Sequence, residues 1–401
     1  MKGQEPRATP SAPTYPAPFG IYVHVPFCRE RCDYCAFATY TDRDHLMESY
    51  AAACVTELER AREGGPLPPA TSVFFGGGTP SRLPSDLLLE IVHAIDLAPG
   101  AEVTVECNPE DVGPGLMTAY RSGGVTRISL GVQSTVPRVL AGLGRRHGHE
   151  EALEAAATVA EAGFASWSAD LIMGGSGETD ADWERSLDDL LGLASPPPHI
   201  SAYALTVEPG TALAAAQDRH PDDDVQAGRY EVTEAKLGRA GYQWEEISNW
   251  ALPGHRCRHN GLCWEQGDYL GIGSGAHSHR AGHRWWNVRT PDRYVAAVTA
   301  GSSVVAGTEV LTPAQRRFER LALSLRTPKG VPASALPEHP DLDGGRGIDG
   351  GRGIEGNSGI DRTGGVGEDN PAPLVERIDD RVVLTVRGRL LANAVTTRLV
   401  A

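Results

Sequence analysis

The sequence predicts an α/β fold, a parallel sheet with helical crossovers followed by a small α+β appendage. Three observations carry this expectation. Short β-rich runs alternate with helical patterns from Phe19 to Ala240, the composition changes after Gly241, and a helix-then-strand pattern ends the chain. The β-rich runs are Ile21 to Val25, Ser72 to Phe75, Val103 to Glu106, Arg127 to Gly131, Ser166 to Met173 and Ile200 to Leu205. The helical patterns are Asp44 to Arg62, Pro84 to Ile95, Val136 to Ala141, Glu150 to Ala162, Asp180 to Leu193 and Val225 to Ala240. Repeated βα units imply parallel pairing with right-handed crossovers. Six of them suit an open, partial barrel as well as a doubly wound sheet. In both, ligand-binding residues gather in the loops at the carboxyl ends of the strands.

After Gly241, Trp244, Trp250, Trp264, Trp285 and Trp286 supply five of the seven tryptophans, alongside His255, His259, His277, His279 and His283. A helical stretch from Thr312 to Leu325 and an alternating apolar run from Arg381 to Val386 give the appendage its α+β character. Residues 1–18 hold five prolines and no apolar period, which predicts a disordered tail. Residues 341–370 contain eleven glycines and an imperfect duplication, Gly344 to Asp349 followed by Gly350 to Glu355. Two copies make no solenoid, and the two arginines of the repeat are flanked by Asp and Glu, so a disordered insertion is expected rather than an RNA-binding segment.

At roughly 150 residues per domain, 401 residues predict two or three domains. Lys and Arg number 37 against 52 Asp and Glu, a balance of −15 that disfavours grip on nucleic acid or an anionic membrane. The apolar runs are strand-length, too short to span a bilayer. Nothing at the amino terminus reads as a secretory signal, so the expected location is cytoplasmic, where the seven cysteines stay reduced.

Cys28, Cys32 and Cys35 form C-x3-C-x2-C in a loop after the first predicted strand. A structural zinc site wants four ligands, and no second pair at matching spacing lies downstream. Three thiolates can instead hold three irons of a [4Fe-4S] cluster and leave the fourth iron open. Cys54 and Cys107 fall on helix and strand-end positions and are expected to be core thiols.

This loop resembles the signature of the radical S-adenosylmethionine (SAM) superfamily. The likeness extends through Tyr22 to Cys28, Gly76-Gly77-Gly78-Thr79-Pro80, Glu106-Cys107-Asn108-Pro109-Glu110 and Gly131-Val132-Gln133-Ser134. Together these are similar to the branch that contains oxygen-independent coproporphyrinogen III oxidase and the HemW heme chaperones. The resemblance implies a partial (β/α)6 TIM-like barrel over residues 19–245, a connecting region over 246–310 and a small carboxyl-terminal domain over 311–401. It also implies a [4Fe-4S] cluster on Cys28, Cys32 and Cys35, and SAM bound to the open iron. By the same resemblance Gly77, Gly78 and Thr79 lie along the methionine end of SAM, and Arg145 pairs with its carboxylate. Glu106, Gln133 and Asp170 end the third, fourth and fifth strands and converge on one mouth, Glu106 and Asp170 touching the ribose. Tyr22 and Tyr34 flank the cluster or the adenosyl group, while His24 is expected to be structural.

One departure divides the branch. The oxidase carries a further cysteine two places after the third cluster cysteine, where this chain has Phe37. His259-Asn260-Gly261-Leu262-Cys263-Trp264 resembles the H-N-x-x-Y-W block associated with heme in the chaperones, with Cys263 in place of tyrosine. The resemblance therefore implies heme as cargo, His259 as its candidate ligand, heme-acceptor proteins and an electron donor as partners. Radical decarboxylation of coproporphyrinogen III is the alternative. A non-catalytic iron-sulfur interaction module is the third reading.

Overall fold

The computed structural model describes residues 18–336 and 373–400. The expected disordered tail, apart from Pro18, and the glycine-rich insertion lie outside the described residues. Six strands lie parallel in sequence order: β1 (Phe19–Val25), β2 (Ala70–Gly77), β3 (Leu97–Cys107), β4 (Arg127–Gln133), β5 (Ser166–Met173) and β6 (His199–Ala204). β1 is buried on both faces, apart from half-buried Tyr22, as a strand between a helical layer and a filled interior must be. The connecting helices include Met47–Glu63, Ser85–His93, His149–Glu161 and Asp180–Leu191. Thr179 and Asp182 form a capping box that fixes the start of the last of these.

The sheet continues past the parallel strands at both edges. On one side β6 pairs antiparallel with β8 (Asn249–Ala251), which pairs with β7 (Gln243–Glu246). On the other, β9 (Asp268–Ile272) runs parallel to β1, and β10 (His277–Arg280), β11 (His283–Asn287) and β12 (Val305–Val310) follow antiparallel. The twelve strands of this sheet run from β12 to β7 without closing a ring among the described residues. A partial barrel with added edge strands is the result.

A separate three-stranded sheet, β13 (Val331–Pro332), β15 (Arg381–Leu384) and β14 (Val375–Ile378), packs with the helices Pro313–Leu325 and Ala392–Val400. Its small core of Leu325, Val331, Leu374, Val382, Leu384 and Val395 is distinct from the barrel core. No described helix is long and apolar enough to cross a membrane.

Two sequence expectations need correction. The helix Pro114–Ser122 between β3 and β4 was not among the expected elements. It is nine residues long with Gly115 in its first turn, so its apolar period, Met117 and Tyr120, is too brief to register. Asp170 stands mid-strand in β5 rather than at its end, because β5 runs on through Leu171, Ile172 and Met173. Cys54 and Cys107 are core residues, as expected.

Candidate functional site

The cysteine loop is closed at its base by Tyr40 N donating to Pro26 O at 2.8 Å and Cys28 N donating to Tyr40 O at 3.0 Å. Within it, Cys35 N donates to Cys32 O at 3.1 Å, and Arg31 Nη2 donates to Cys35 O at 3.1 Å. Cys28 is buried, Cys32 and Cys35 are half-buried, and all three are free thiols. Burial, reinforced by the neighbouring Cys35 and Cys32, pushes the Cys28 thiol up to about 11, against the hydrogen bond from Thr79.

Arg145 reaches the loop from beyond β4. Its Nη1 donates to Cys32 Sγ at 3.6 Å, and its Nη2 donates to Asn108 Oδ1 at 2.7 Å and Gly131 O at 3.1 Å. Its Nε is buried without a partner. Asn108 Nδ2 donates to Thr79 Oγ1 at 3.2 Å, and Thr79 Oγ1 donates to Cys28 Sγ at 3.5 Å. One relay, Arg145–Asn108–Thr79, thus ties two of the three thiols together. Tyr34 packs against the apolar cluster that includes Val136, Val139 and Leu143, with its hydroxyl against Cys32. Gln133 takes a φ of 64° and turns its amide beside Gly131 and Arg145.

The glycine turn has a packing reason as well. Gly77 has a φ of 111°, and a methyl group there would sit 2.3 Å from His24 Cε1. At Gly78 it would sit 2.7 Å from Val25 O. Bare backbone lets the end of β2 pass against the start of the cysteine loop. Gly77 N donates to Glu106 Oε2 at 3.2 Å.

Inside the barrel lies a cavity of about 1620 Å³, larger than the roughly 300–1000 Å³ of a drug-sized ligand site. Tyr22, Glu106 and Asp170 line it, but Gln133 does not. Two of the three strand carboxamide and carboxylate groups therefore converge there, and the third sits with Arg145. Burial, then the charge of Asp170, pushes Glu106 up to about 8. Asp170 accepts from Ser129 Oγ at 2.8 Å and Ser201 Oγ at 2.7 Å; burial still holds its carboxyl above the usual range. His24 is held between Tyr22 OH at 3.2 Å and Ala38 O at 2.9 Å, and burial pushes it down to about 4, as a structural histidine.

His259, Asn260, Cys263 and Trp264 also line the cavity, at its far end from the thiols. Gly20, Ser72 and Glu102 share one register across β1, β2 and β3, near the entry to the strands, and His259 sits over them. Its Nδ1 lies 3.1 Å from Ser72 Oγ, and its ring stacks on Phe74 at 5.5 Å. Glu102 accepts from the backbone N–H of Arg258 at 3.0 Å and of His259 at 3.2 Å. Glu246 accepts from Asn260 Nδ2 at 3.0 Å and from Asn249. Burial pushes His259 down to about 4, so the imidazole is neutral.

Sequence reasoning did not single out Asn108, although its place directly after the end of β3 could have. Nor did it find Ser129 and Ser201, the partners of Asp170, for which no sequence signal exists.

The radical SAM superfamily model matches residues 22–190, which contain the thiol loop, the glycine turn, Glu106 and Asp170. The chain is a radical SAM protein. A heme chaperone HemW from Mycobacterium tuberculosis is 40% identical over 399 residues, covering 97% of this chain and 96% of that one. HemW from Escherichia coli K12 is 38% identical over 266 residues, covering 65% of this chain and 70% of that one. The chain belongs to the HemW family. Among solved structures, coproporphyrinogen III oxidase (HemN) from Escherichia coli, a radical SAM enzyme, matches with a TM-score of 0.75 over 96% of this chain and 91% of its own. At 20% identity that is a likeness of fold.

The superfamily implies a [4Fe-4S] cluster and SAM, and the donor set fits both. No group of three or more His, Cys, Asp or Glu among the described residues gathers as one metal ion requires. Cys28, Cys32 and Cys35 nevertheless share one loop and act on one another electrostatically, and Cys thiolates are the ordinary ligands of an iron-sulfur cluster. Arg145, with its unpartnered Nε, suits a carboxylate placed beside that cluster.

Proposed function

We propose that this protein binds heme in the barrel cavity and delivers it to acceptor proteins, carrying a [4Fe-4S] cluster and SAM at the mouth. The observation that carries the proposal is the 40% identity to a heme chaperone over 97% of the chain, which takes in the thiol loop and the cavity floor alike. Cys28, Cys32 and Cys35 hold the cluster, which supplies an electron for reductive cleavage of SAM. Arg145 receives the SAM carboxylate through its free Nε, while Gly77, Gly78 and Thr79 edge the methionine end. Glu106 and Asp170 meet the ribose, Glu106 as a proton-bearing donor near neutral pH. Tyr22 and Tyr34 flank the bound groups, and Gln133 orients Arg145. In this reading an electron donor docks from outside, and His259 belongs to the wall around the cargo.

Heme titrated into anaerobically reconstituted protein tests the reading: a saturable Soret change is expected. Incubation with SAM, a reductant and coproporphyrinogen III is expected to give no protoporphyrinogen IX. Appreciable product would move the assignment to the oxidase, against the exposed Phe37 that stands where the oxidase has its further cysteine.

A further inference from the structure

Four histidines line the cavity, and three are committed to protein partners. His24 is bonded to Ala38 O, His199 lies 2.7 Å from Asn249 Oδ1, and His259 is bonded to Ser72. His277 alone among them has no side-chain hydrogen bond among the described residues. It is exposed on β10, and its ring stacks on Trp286 of β11 at 5.7 Å and 24°. Burial and the nearby Arg284 lower its affinity for a proton, leaving a neutral imidazole free to bind a metal.

The ladder that pairs His277 with Trp286 continues through Asn287 N to Ala276 O at 3.0 Å and Gly275 N to Val288 O at 2.9 Å. Arg289 follows two residues beyond the end of β11 and lines the same cavity. Arg289 Nη2 donates to Ala36 O at 3.1 Å, joining this wall to the cysteine loop. Arg127, Arg289, Arg293 and Arg326 all line the cavity, and none has a carboxylate within 4.0 Å among the described residues. Arg127 is committed to Ser166 Oγ and His255 O, and Arg326 to Ala322 O and Asn393 Oδ1, so in a chain with 52 acidic and 37 basic residues Arg289 and Arg293 are the guanidinium groups left to receive a ligand's carboxylates. Trp286 and exposed Phe37 add flat apolar surface at the same mouth.

We propose that His277 is the axial ligand to the iron of the tetrapyrrole cargo, and that Arg289 and Arg293 receive its carboxylates. His259 then shapes the floor instead of binding the iron. This rests on the reading of the cavity as a heme carrier. An imidazole nitrogen is an ordinary haem ligand, and one already held by Ser72 and packed on Phe74 has less freedom to reach it than one facing the open mouth.

The experiment is heme titration into the full, cluster-reconstituted chain, with far-UV circular dichroism and iron-sulfur absorption as checks of folding. His277→Ala should weaken binding about tenfold or more and shift the Soret band, and free imidazole added to His277→Gly should restore the wild-type spectrum. His259→Ala, which removes part of the wall, should leave the band position in place and weaken binding less than His277→Ala does. Arg289→Gln and Arg293→Gln should each weaken heme and metal-free protoporphyrin IX alike, by about threefold, and leave the porphyrin dimethyl ester unaffected. A His277→Ala protein with wild-type band and affinity, or a His259→Ala protein that loses the band, overturns the ligand assignment alone. A wild type with no saturable change overturns the heme-carrier reading together with it.

Discussion

The thiol loop beside the cavity and the cavity floor are built from the same kinds of residue and differ in what those residues have left to give. At the thiol end Arg145 keeps a buried Nε without a partner, and three cysteines remain free. At the floor Ser72 occupies His259, Glu102 caps the backbone of Arg258 and His259, and Glu246 takes up Asn249 and Asn260. A buried polar atom without a partner costs about 1–3 kcal/mol. At Arg145 a ligand carboxylate would complete such an atom, whereas the network around His259 is already satisfied. Resemblance to a known block marks both ends, and only the hydrogen-bond inventory separates a site from its foundation.

The sharpest way to break that contrast is to remove the thiols. Replacing Cys28, Cys32 and Cys35 together by Ser should abolish iron-sulfur absorption in reconstituted protein. Far-UV circular dichroism should stay that of the wild type, since only Cys28 is buried and none joins the strand ladders. Retained iron at wild-type stoichiometry would place the cluster elsewhere and dissolve the distinction between the ends.

Arg145→Ala tests the reserve itself. Loss of a buried charge partner typically weakens binding by 2–5 kcal/mol, so SAM affinity of the reconstituted protein should fall roughly a hundredfold in equilibrium dialysis. Asn108→Ala should have a smaller effect in the same direction, because Asn108 acts through Arg145 and Thr79. Equal losses from both variants would mean that the relay, rather than the guanidinium, holds the ligand.

Much of this was legible in the sequence, for identifiable reasons. All six parallel strands and the thiol loop could be located because long βα repeats and cysteine spacing are local signals. β7 to β12 could not, because they have three to six residues each and pair at sheet edges with partners that no local pattern names. The placement of His259 was likewise hidden: its block is visible in the chain, but its depth depends on Gly20 leaving room beside β1. Nothing in His277-Ser278-His279 tells its two histidines apart, yet His279 Nδ1 lies 2.9 Å from Gly267 O while His277 faces the cavity.

Glu102→Gln probes the floor. The carboxylate accepts from two successive backbone N–H groups that open the helix Arg258–Trp264, and from the Cys257 thiol at 3.6 Å. Replacing it with a neutral amide that also presents donors should cost about 1–2 kcal/mol of stability in urea denaturation. SAM binding should stay unchanged. A fall in SAM affinity comparable to that of Arg145→Ala would mean that the floor is not merely support.

Glu106→Gln has an effect that vanishes in acid and grows with pH, and its sign follows from burial. Desolvation, then the charge of Asp170, raises the Glu106 carboxyl from an ordinary 4.5 to about 8, with the Gly77 N–H pulling the other way. Between those values the folded chain keeps a proton that the unfolded chain has released. The stabilisation is therefore complete below the lower value and is lost as pH rises through the higher. Glutamine cannot ionise and still offers Gly77 an acceptor, so the variant escapes that loss. In SAM-free protein, Glu106→Gln and wild type should melt together near pH 4.5, and the variant should melt higher by at least about 2 °C at pH 9. Parallel melting curves across the whole range would mean that Glu106 is already ionised in the fold, and that the thiol end holds no protonated donor for a ribose.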